Sequence, residues 1–548
     1  MKYLSFLLFF CLLTVSAELQ AQPPTVGLIS HTTASYDSGY VLFAPLSYTQ
    51  TYLIDKCGKV VRTWNSEFIP GESAYLRPDG KLVRSGHGAG GSGSKKGSSC
   101  TEIFDWDGNL LWRFTIDTLF GQHHDFEIMP NGNVLLIVHQ WIQTQTAVAA
   151  GRDPALISGQ FVSERLVEIE PIGTDSGRVV WEWRPFDHLV QDFDATKANF
   201  GVVADHPELI NFNYTKTAVG EWLHFNSVRY NEKLDQILVS AHHLSEIWVI
   251  DHGTTTAQAA SHSGGKRGKG GDLLYRLGNP QAYDHGRAID QVFFGQHECM
   301  WIPEGRPQAG KIMVFNNGTG RPAGMYSSLD VITPPIDSAG NYSATIPFLP
   351  AALDWTYTDT PPTNIITQTA GGGEMLPNGN VMICTGQMGS IFEIDASHTK
   401  KVWEYVIPVN NAGPIAQGSI PSGNPVYKAV FYPMTYPAFA GKTIVPGAPI
   451  ELNATNNACA YNDGSSAVHA VELPVNDLFV YPNPASGHVN VASGERVARL
   501  ALYDALGRNV ATAENAGELN TVGVPAGVYL LVVTHKGATT SKTIAIVH

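Results

Sequence analysis

The feature that most constrains the fold is a weak internal repeat that runs from about residue 52 to residue 403. Its clearest copies place a turn between two short apolar runs, as at Pro78-Asp79-Gly80, Pro130-Asn131-Gly132 and Pro377-Asn378-Gly379. An Asn-Gly or Asp-Gly pair in this setting predicts a β-hairpin whose two turn residues both take positive φ. Four short strands per copy of ~50 residues, repeated about six times, predict an all-β, six-bladed β-propeller. A flat β-solenoid fits less well, because the copies differ greatly in length.

The composition agrees with a turn-rich β-protein. The 548 residues include 54 Gly and 33 Pro, and charged residues make up only 15%. A hydrophobic fraction of 43%, with 10% aromatic residues, excludes wholesale disorder. The formal net charge of −14 argues against a nucleic-acid partner, because affinity for nucleic acid depends on Lys and Arg.

Residues 1–21 are typical of a secretory signal peptide. Lys2 supplies the positive start, Leu4–Val15 the apolar stretch and Ala21 the small residue at the cleavage site. No later stretch approaches the ~20 apolar residues of a membrane span. The mature chain would keep five of the six cysteines, and a Cys57–Cys100 bridge is one pairing that the sequence allows.

The C-terminal residues 476–548 form a separate module, which a linker at 450–475 joins to a propeller domain at 22–449. About 70 residues of alternating strands and turns suit a small Ig-like β-sandwich. The phrases YPNP (481–484) and AGVYLLVV (526–533) resemble the C-terminal sorting domain of the Bacteroidetes type IX secretion system. The resemblance implies that the secretion machinery is a partner and carries the protein through the periplasm to the cell surface or the medium.

Histidine is the most informative residue type. Four segments carry it at similar points, just before or within a strand: Gln122-His123-His124-Asp125, His224-Phe225-Asn226-Ser227, Ala241-His242-His243-Leu244 and Gln296-His297-Glu298. Because the inner strands of a propeller line its central channel, these side chains are expected to converge. Converging imidazoles can bind a metal, transfer protons or act as nucleophiles. No HExxH or CxxC spacing supports a metal site, so none is predicted.

The stretch 25–437 resembles the bacterial arylsulfotransferase family. The resemblance depends on HHDFEIMPNGNVLLI (123–137), EWLHFNSVRYNEKLDQILVSAHHLSEIWVID (221–251), GQHECMWIP (295–303) with VFNNG (314–318), and GGGEMLPNGNVMICTG (371–386). It implies a six-bladed propeller with the active site in its channel and no cofactor. The implied reaction moves a sulfuryl group from a phenolic sulfate ester to a phenol, through a sulfated histidine.

The resemblance also implies roles for particular residues. His297 matches the nucleophile, and His224 matches a histidine that contacts sulfate and transfers protons, with Asn226 beside it. His124 matches a further channel histidine, for which His123 is a competing register. His242 stands where the family has an arginine that holds sulfate, so His242 is the fourth expected catalytic residue, and His243 beside it an expected substrate contact. Arg229, Lys266, Arg267 or Arg287 could hold sulfate instead.

The sequence is also compatible with two other functions. A non-catalytic surface propeller could capture a ligand at the histidines, and a different propeller enzyme, such as a metal-dependent hydrolase or lyase, could use them. The missing arginine favours these alternatives. The His-Phe-Asn-Ser and Gln-His segments favour the sulfotransferase, because a scaffold does not need several imidazoles at one place.

Overall fold

The computed structural model of the chain describes residues 24–32, 34–87, 99–116, 121–215, 220–343, 345–454, 479–481, 485–492, 497–504, 508–535 and 538–547. Contacts divide the chain into two compact units, residues 1–463 and 464–548. The predicted signal peptide at 1–21 and most of the predicted linker at 450–475 lie outside the described residues.

The first unit contains six antiparallel sheets, named blades 1 to 6, each with four strands in order from the channel outwards. Blade 1 has Val426–Pro433, Gly39–Pro45, Gln50–Asp55 and Val60–Asn65, and blade 2 has Ile69–Leu76, Leu82–His87, Ser99–Phe104 and Leu110–Phe114. Blade 3 has Gln122–Ile128, Val134–Ile142, Phe161–Ile172 and Ser176–Trp183, and blade 4 has Phe225–Asn231, Gln236–Ala241, Glu246–Asp251 and Tyr275–Leu277. Blade 5 has Glu298–Trp301, Ile312–Asn316, Ser328–Ile332 and Trp355–Tyr357, and blade 6 has Gly372–Met375, Val381–Thr385, Ser390–Ile394 and Lys401–Val406, with Gly27–His31 added outside.

The six inner strands contact one another in sequence order, and the last contacts the strand of blade 2 where the ring begins. The inner strand of blade 1 is Val426–Pro433, which pairs with Gly39–Pro45 from the other end of the unit. This strand closes the ring, and its position explains why the repeat signal is weak in that part of the sequence. The predicted all-β fold with a six-bladed propeller is confirmed.

The other elements are short. The helices are Thr144–Ala149 and Thr256–Ala259, and two-residue strands pair Leu189–Val190 with Ile210–Asn211 and Val409–Asn410 with Gly413–Pro414. The 3-10 turns are Pro154–Leu156, Pro185–Asp187, Val203–Asp205, His242–Leu244, Pro280–Tyr283, Ala288–Asp290, Pro362–Asn364, Gly386–Met388 and Pro437–Phe439. In the part of the chain that the structure describes, no helix has the length and apolar character needed to cross a membrane.

The hairpin turns differ from the sequence prediction in one respect. Gly80 has a φ of 85°, but Asp79 before it does not take positive φ. The Gly80 N–H donates to the Arg77 carbonyl and the Arg77 N–H to the Lys81 carbonyl, which is a type I turn followed by a glycine bulge. The expected pair of positive φ values is therefore wrong. Pro78 explains the difference, because its ring fixes φ near −65°, the value that a type I turn requires.

Aromatic side chains of the outermost strands connect each blade to the next. Four indole N–H groups donate to backbone carbonyls of the following blade: Trp64 to Asp105 (2.9 Å), Trp112 to Ser176 (2.8 Å), Trp183 to Gly271 (2.7 Å) and Trp403 to Lys56 (2.7 Å). In blade 4 the Tyr275 hydroxyl donates to the Leu349 carbonyl at 2.8 Å. In blade 5 the Trp355 ring stacks on His398, with ring centroids 4.4 Å apart. These contacts run right around the ring.

The second unit is a β-sandwich of two antiparallel sheets. One sheet has the order Phe479–Tyr481, His488–Ala492, Glu518–Asn520, and the other Asn509–Glu514, Val497–Tyr503, Gly527–His535, Ala538–Ile546. The two sheets enclose one apolar core that includes Val489, Leu500, Leu531 and Ile544. The predicted small C-terminal sandwich is confirmed.

The cysteines correct one expectation. Cys57 is disulfide-bonded, whereas Cys100, Cys299 and Cys384 are free and buried. A Cys57–Cys100 bridge is therefore wrong. Cys100 lies in the third strand of blade 2, where burial raises the pKa of its thiol to about 12.

The contacts between blades predict that Trp403 contributes strongly to stability. Trp403 is fully buried, and Trp403→Phe would leave the Lys56 carbonyl without its donor, at a cost of about 1–3 kcal/mol. Thermal melting followed by circular dichroism should show a clearly lower melting temperature. Trp355→Phe is the matched control, because its indole N–H contacts Gln308 of the same blade at 3.3 Å. Equal effects of the two substitutions would contradict the role given to Trp403.

Candidate active site

Three inner strands have a residue in the left-handed backbone region, either within their first half or directly before their first residue. The φ values are 99° at Glu72, 55° at His124 and 55° at His224. The strand register also shifts at these points, so the regular alternation of side chains is interrupted there. Such conformations cost roughly 1–3 kcal/mol for residues other than glycine and cluster at functional sites. Counted back from Pro78 and Pro130 of the hairpin turns, Glu72 occupies in blade 2 the position that His124 occupies in blade 3.

The four expected catalytic histidines form a continuous series of neighbouring rings. The ring centroids lie 4.6 Å apart for His124 and His224, 5.3 Å for His224 and His242, and 4.9 Å for His242 and His297. His243 stacks on His224 at 5.1 Å. Blades 3, 4 and 5 thus bring together residues that are far apart in the sequence. We call these five residues the imidazole cluster.

Asn317 fixes the orientation of His297. The Asn317 side-chain amide donates to the carbonyls of Thr367 and Ala370, both at 2.9 Å, so its Oδ1 is left as an acceptor. His297 Nδ1 lies 2.9 Å from that oxygen and must therefore carry the proton. The lone pair of the ring is then on Nε2. His297 is buried and lies in the segment before the inner strand of blade 5.

His123 lies in a second layer behind the imidazole cluster. Its Nδ1 is 2.7 Å from Nδ1 of His124, and its ring stacks on His139 with centroids 3.7 Å apart. His124, in contrast, faces His224 and also Tyr427 of the closing strand. Of the two registers, the geometry therefore favours His124 as the residue nearer to a substrate.

Asn226 is buried beside the cluster. Its amide nitrogen donates to the Gln296 carbonyl at 2.8 Å, and the Tyr427 hydroxyl donates to its backbone carbonyl from the opposite side of the channel. Asn226 Oδ1 is enclosed and has no hydrogen-bond partner among the described residues. The same is true of His242 Nδ1. Enclosed polar atoms of this kind are unusual unless a ligand or water satisfies them.

Burial keeps four imidazoles of the cluster uncharged near neutral pH, those of His124, His242, His243 and His297. It lowers the pKa of His297 to about 3 and that of His243 to about 4, and it places the pKa values of His124 and His242 well below the usual range. Neighbouring imidazoles add to each effect, because a second positive charge nearby is unfavourable. These four neutral rings therefore each offer one donor and one acceptor.

Two carboxylates border the cluster. Glu221 Oε2 lies 2.5 Å from His224 Nδ1, and this hydrogen bond lowers the pKa of Glu221 to about 2. Glu72 Oε2 lies 3.7 Å from His124 Nδ1, is enclosed and has no hydrogen-bond partner among the described residues. Burial raises the pKa of Glu72 to about 8, so this carboxyl group carries a proton at neutral pH.

A buried ionic network fills the channel beyond the cluster. Lys428 Nζ contacts the Tyr75 hydroxyl at 2.8 Å, Asp125 at 2.9 Å and Glu298 at 3.0 Å, so its three protons all have partners. Arg229 binds the same two carboxylates. These five residues come from the inner strands of blades 1 to 5, and we call them the ionic floor. Asp125 directly follows His124, and Glu298 directly follows His297, so the ionic floor helps to hold these two histidines.

The four cations suggested as alternative sulfate contacts are all engaged elsewhere. Arg229 belongs to the ionic floor. Lys266 pairs with Asp235 at 2.5 Å, Arg267 donates to the Leu234 carbonyl at 2.9 Å, and Arg287 pairs with Asp290 at 3.4 Å. The neighbours that shift the pKa values of His242 and His297 include imidazoles but no lysine or arginine.

Sequence reasoning missed several residues of the site. Asn317 lies in the VFNNG phrase, but nothing in that phrase indicates contact with His297. Glu72, Glu221 and Tyr427 had no motif of their own; only the repeat register could have indicated Glu72. Two groups of described side chains have possible metal-ligand atoms within 4.8 Å of one another: His188, His262 and Asp272, and Glu221, His224 and His243.

The family of the chain follows from its similarity to known proteins. The sheets and the histidine-lined channel define a propeller with a polar central site, and the arylsulfotransferase (ASST) family profile matches residues 32–349, more than half of the chain. The chain therefore belongs to the arylsulfotransferase family. Residues 479–547 match the secretion system C-terminal sorting domain, which indicates export to the cell surface or into the medium. No curated protein matches the chain.

Solved structures give only distant likenesses. A Bacteroides caccae protein of unknown function is 13% identical, with a TM-score of 0.38, over 72% of this chain and 98% of that chain. The periplasmic gluconolactonase of Pseudomonas aeruginosa is 14% identical, with a TM-score of 0.35, over 72% of this chain and 99% of that chain. Likeness at this level carries no argument about activity.

The raised pKa of Glu72 predicts a pH effect on stability. Between its unfolded value near 4.5 and about 8, the folded chain holds a proton that the unfolded chain has released. The contribution of Glu72 to the free energy of unfolding therefore falls as pH rises through this window. Glu72→Gln removes this term, so the variant should gain stability relative to the wild type between pH 5 and pH 8. Melting temperatures at both pH values test this.

The control for this experiment is Glu304→Gln. Glu304 is 80% exposed and pairs only with the exposed Lys233, so its substitution should not change the pH dependence. If the melting temperatures of Glu72→Gln and of the wild type depend on pH in the same way, Glu72 is not protonated at neutral pH.

Proposed function

We propose that this protein transfers a sulfuryl group from an aryl sulfate ester to a phenol, with His297 as the nucleophile. The observation that carries the proposal is the pair His297–Asn317. Asn317 holds the proton of His297 on Nδ1, so the lone pair of the ring is on Nε2, and this nitrogen can attack the sulfur of the donor. A neutral imidazole also avoids the repulsion that the sulfate oxygens exert on an anionic nucleophile.

In the first half-reaction, His297 Nε2 forms a bond to sulfur and the bond between sulfur and the phenolic oxygen breaks. The leaving phenolate takes a proton from the imidazolium form of His224, which the ionised Glu221 beside it stabilises, and His224 becomes neutral. The ring of sulfated His297 gains positive charge, and Asn317 Oδ1 stabilises it by accepting the Nδ1 proton in a hydrogen bond. His124 and His242 supply N–H donors for the sulfate oxygens in a site that burial keeps poor in water.

In the second half-reaction, the acceptor phenol attacks sulfur and the bond to His297 breaks. His224 takes the phenol proton, and the ionised Glu221 beside it stabilises the imidazolium that forms. Asn226 Oδ1 can accept a hydrogen bond from the phenol hydroxyl before transfer, since this buried oxygen otherwise lacks a partner among the described residues. The donor and the acceptor are small phenolic molecules.

The first test is His297→Asn. Wild-type mature protein should release nitrophenol from 4-nitrophenyl sulfate faster when phenol is added, and the variant should show no release above background. Mass spectrometry of wild-type protein incubated with donor alone should find the sulfuryl group on His297. Sulfation of a different residue, or full activity of the variant with unchanged folding by circular dichroism, would refute the role of His297.

The second test concerns Asn317 as a positioning residue. Asn317→Leu removes the acceptor for His297 Nδ1 and should lower kcat about 10²–10⁴-fold, with a smaller change in KM. Asn317→Asp keeps an acceptor oxygen and should recover part of the loss. If aspartate is as damaging as leucine while both variants melt at similar temperatures, Asn317 does not act through His297.

A non-catalytic binding propeller is the second candidate, and His242 in place of the expected arginine favours it. That protein would bind aryl sulfates at the imidazole cluster without breaking them. Absence of turnover by folded wild-type protein, together with saturable binding of 4-nitrophenyl sulfate, would establish it.

A further inference from the structure

We infer that Glu221, His224 and His243 form a zinc site, and that zinc bound there stops sulfuryl transfer. One potential ligand atom from each residue lies within 4.8 Å of the other two. Two imidazoles and one carboxylate are a ligand set that Zn²⁺ uses at sites that keep a fourth position open. The binding site itself does not depend on the reaction proposed above, whereas its inhibitory effect does.

The backbone holds the three ligands in place. The Trp222 N–H donates to the Val162 carbonyl at 2.9 Å and the Val162 N–H to the Gly220 carbonyl at 2.7 Å, so the residues on both sides of Glu221 are tied to blade 3. The His224 N–H donates to Glu164 Oε1 at 2.8 Å, and the His243 N–H donates to the Leu223 carbonyl at 3.0 Å. Little rearrangement is then needed to bring the three side chains to a common ion.

The ring nitrogens are also suitably arranged. His243 Nδ1 lies 3.3 Å from the Trp222 carbonyl, a contact that places the proton on Nδ1 and leaves the lone pair on Nε2. His224 Nδ1 lies 2.5 Å from Glu221 Oε2, so an ion that binds this carboxylate would also take the Nδ1 lone pair and leave the ring proton on Nε2. His243 has the usual arrangement at protein zinc sites, in which an oxygen holds the second nitrogen of the ligating histidine.

In the other group with close ligand atoms, the carboxylate already joins both imidazoles. His188 is fully buried, with Nδ1 2.8 Å from Asp272 Oδ1 and Nε2 2.8 Å from the Ala259 carbonyl. His262 Nδ1 lies 2.7 Å from the same Asp272 oxygen, so these three side chains are held together without an ion. His188, His262 and Asp272 bind loops together, and this group serves as a natural comparison for the proposed site.

Zinc at Glu221, His224 and His243 is incompatible with the role of His224 as a base. A neutral imidazole that gives one nitrogen to a metal carries its proton on the other and cannot accept a second one there. Zinc also occupies the carboxylate that would stabilise the imidazolium. The acceptor phenol then keeps its proton, and the second half-reaction stops.

The test uses untagged mature protein and isothermal titration with ZnCl₂, with CaCl₂ as the contrast because Ca²⁺ prefers oxygen ligands. One Zn²⁺ per chain is expected, and Glu221→Gln and His243→Gln should each weaken binding about tenfold or more, by analogy with losses of supporting residues at zinc sites. His262→Gln is the matched control and should bind zinc like the wild type. Anomalous diffraction at the zinc edge should place the ion between the three ligands.

Each outcome decides the inference. Absence of zinc binding, or an ion located at His188 and His262, overturns the site, whatever the protein does with aryl sulfates. If zinc binds as expected, it should suppress turnover of 4-nitrophenyl sulfate reversibly, with recovery on addition of a chelator. Higher turnover with bound zinc would overturn the inhibitory role of zinc but not the zinc site itself. A protein that binds zinc but shows no turnover without it would instead overturn the sulfotransferase proposal made above, together with inhibition.

Discussion

The ionic floor is the interaction on which the rest of the propeller depends. Lys428 and Arg229 share Asp125 and Glu298, and Tyr75 completes the network. Burying four charges is costly, and removing one partner of such a group typically costs 3–5 kcal/mol because a charge is left unpaired. The five residues therefore fix the inner strands of five blades relative to one another. These strands in turn fix the positions of the histidines at their starts.

The same network separates two electrostatic environments along one channel. In the floor, two cations and two anions neutralise each other, and the pKa of Asp125 lies well below its usual range because of Arg229 and Lys428. A short distance along the same strands, the imidazoles of His124 and His297 are neutral because burial and repulsion between neighbouring rings disfavour their charged forms. Polar donors without net charge suit an anion that must also leave, because they stabilise charge as it develops and do not trap it permanently.

The sequence was informative where structure repeats and uninformative where distant segments meet. The repeated Asp-Gly and Asn-Gly turns between short apolar runs predicted six blades, and the Gln-His and His-Phe-Asn-Ser segments predicted where histidines converge. Asn317 could not be found, since its contact with His297 depends on how blade 5 folds back on itself. Glu72 shares a position with His124 but has a different side chain, and Val426–Pro433 resembles no other copy because it completes a blade begun near residue 39. The turn type, by contrast, could have been predicted, because Pro78 favours a type I turn that starts one residue earlier than the Asp-Gly pair suggests.

Ring closure by Val426–Pro433 has a consequence for synthesis and export. Lys428, which closes the ionic floor, follows its partner Tyr75 by most of the length of the propeller, so no shorter nascent chain contains a complete floor. The network beside the imidazole cluster is therefore complete only when the last strand has been synthesised, just ahead of the sorting domain. A chain cut before that strand lacks both Lys428 and the strand that closes the ring.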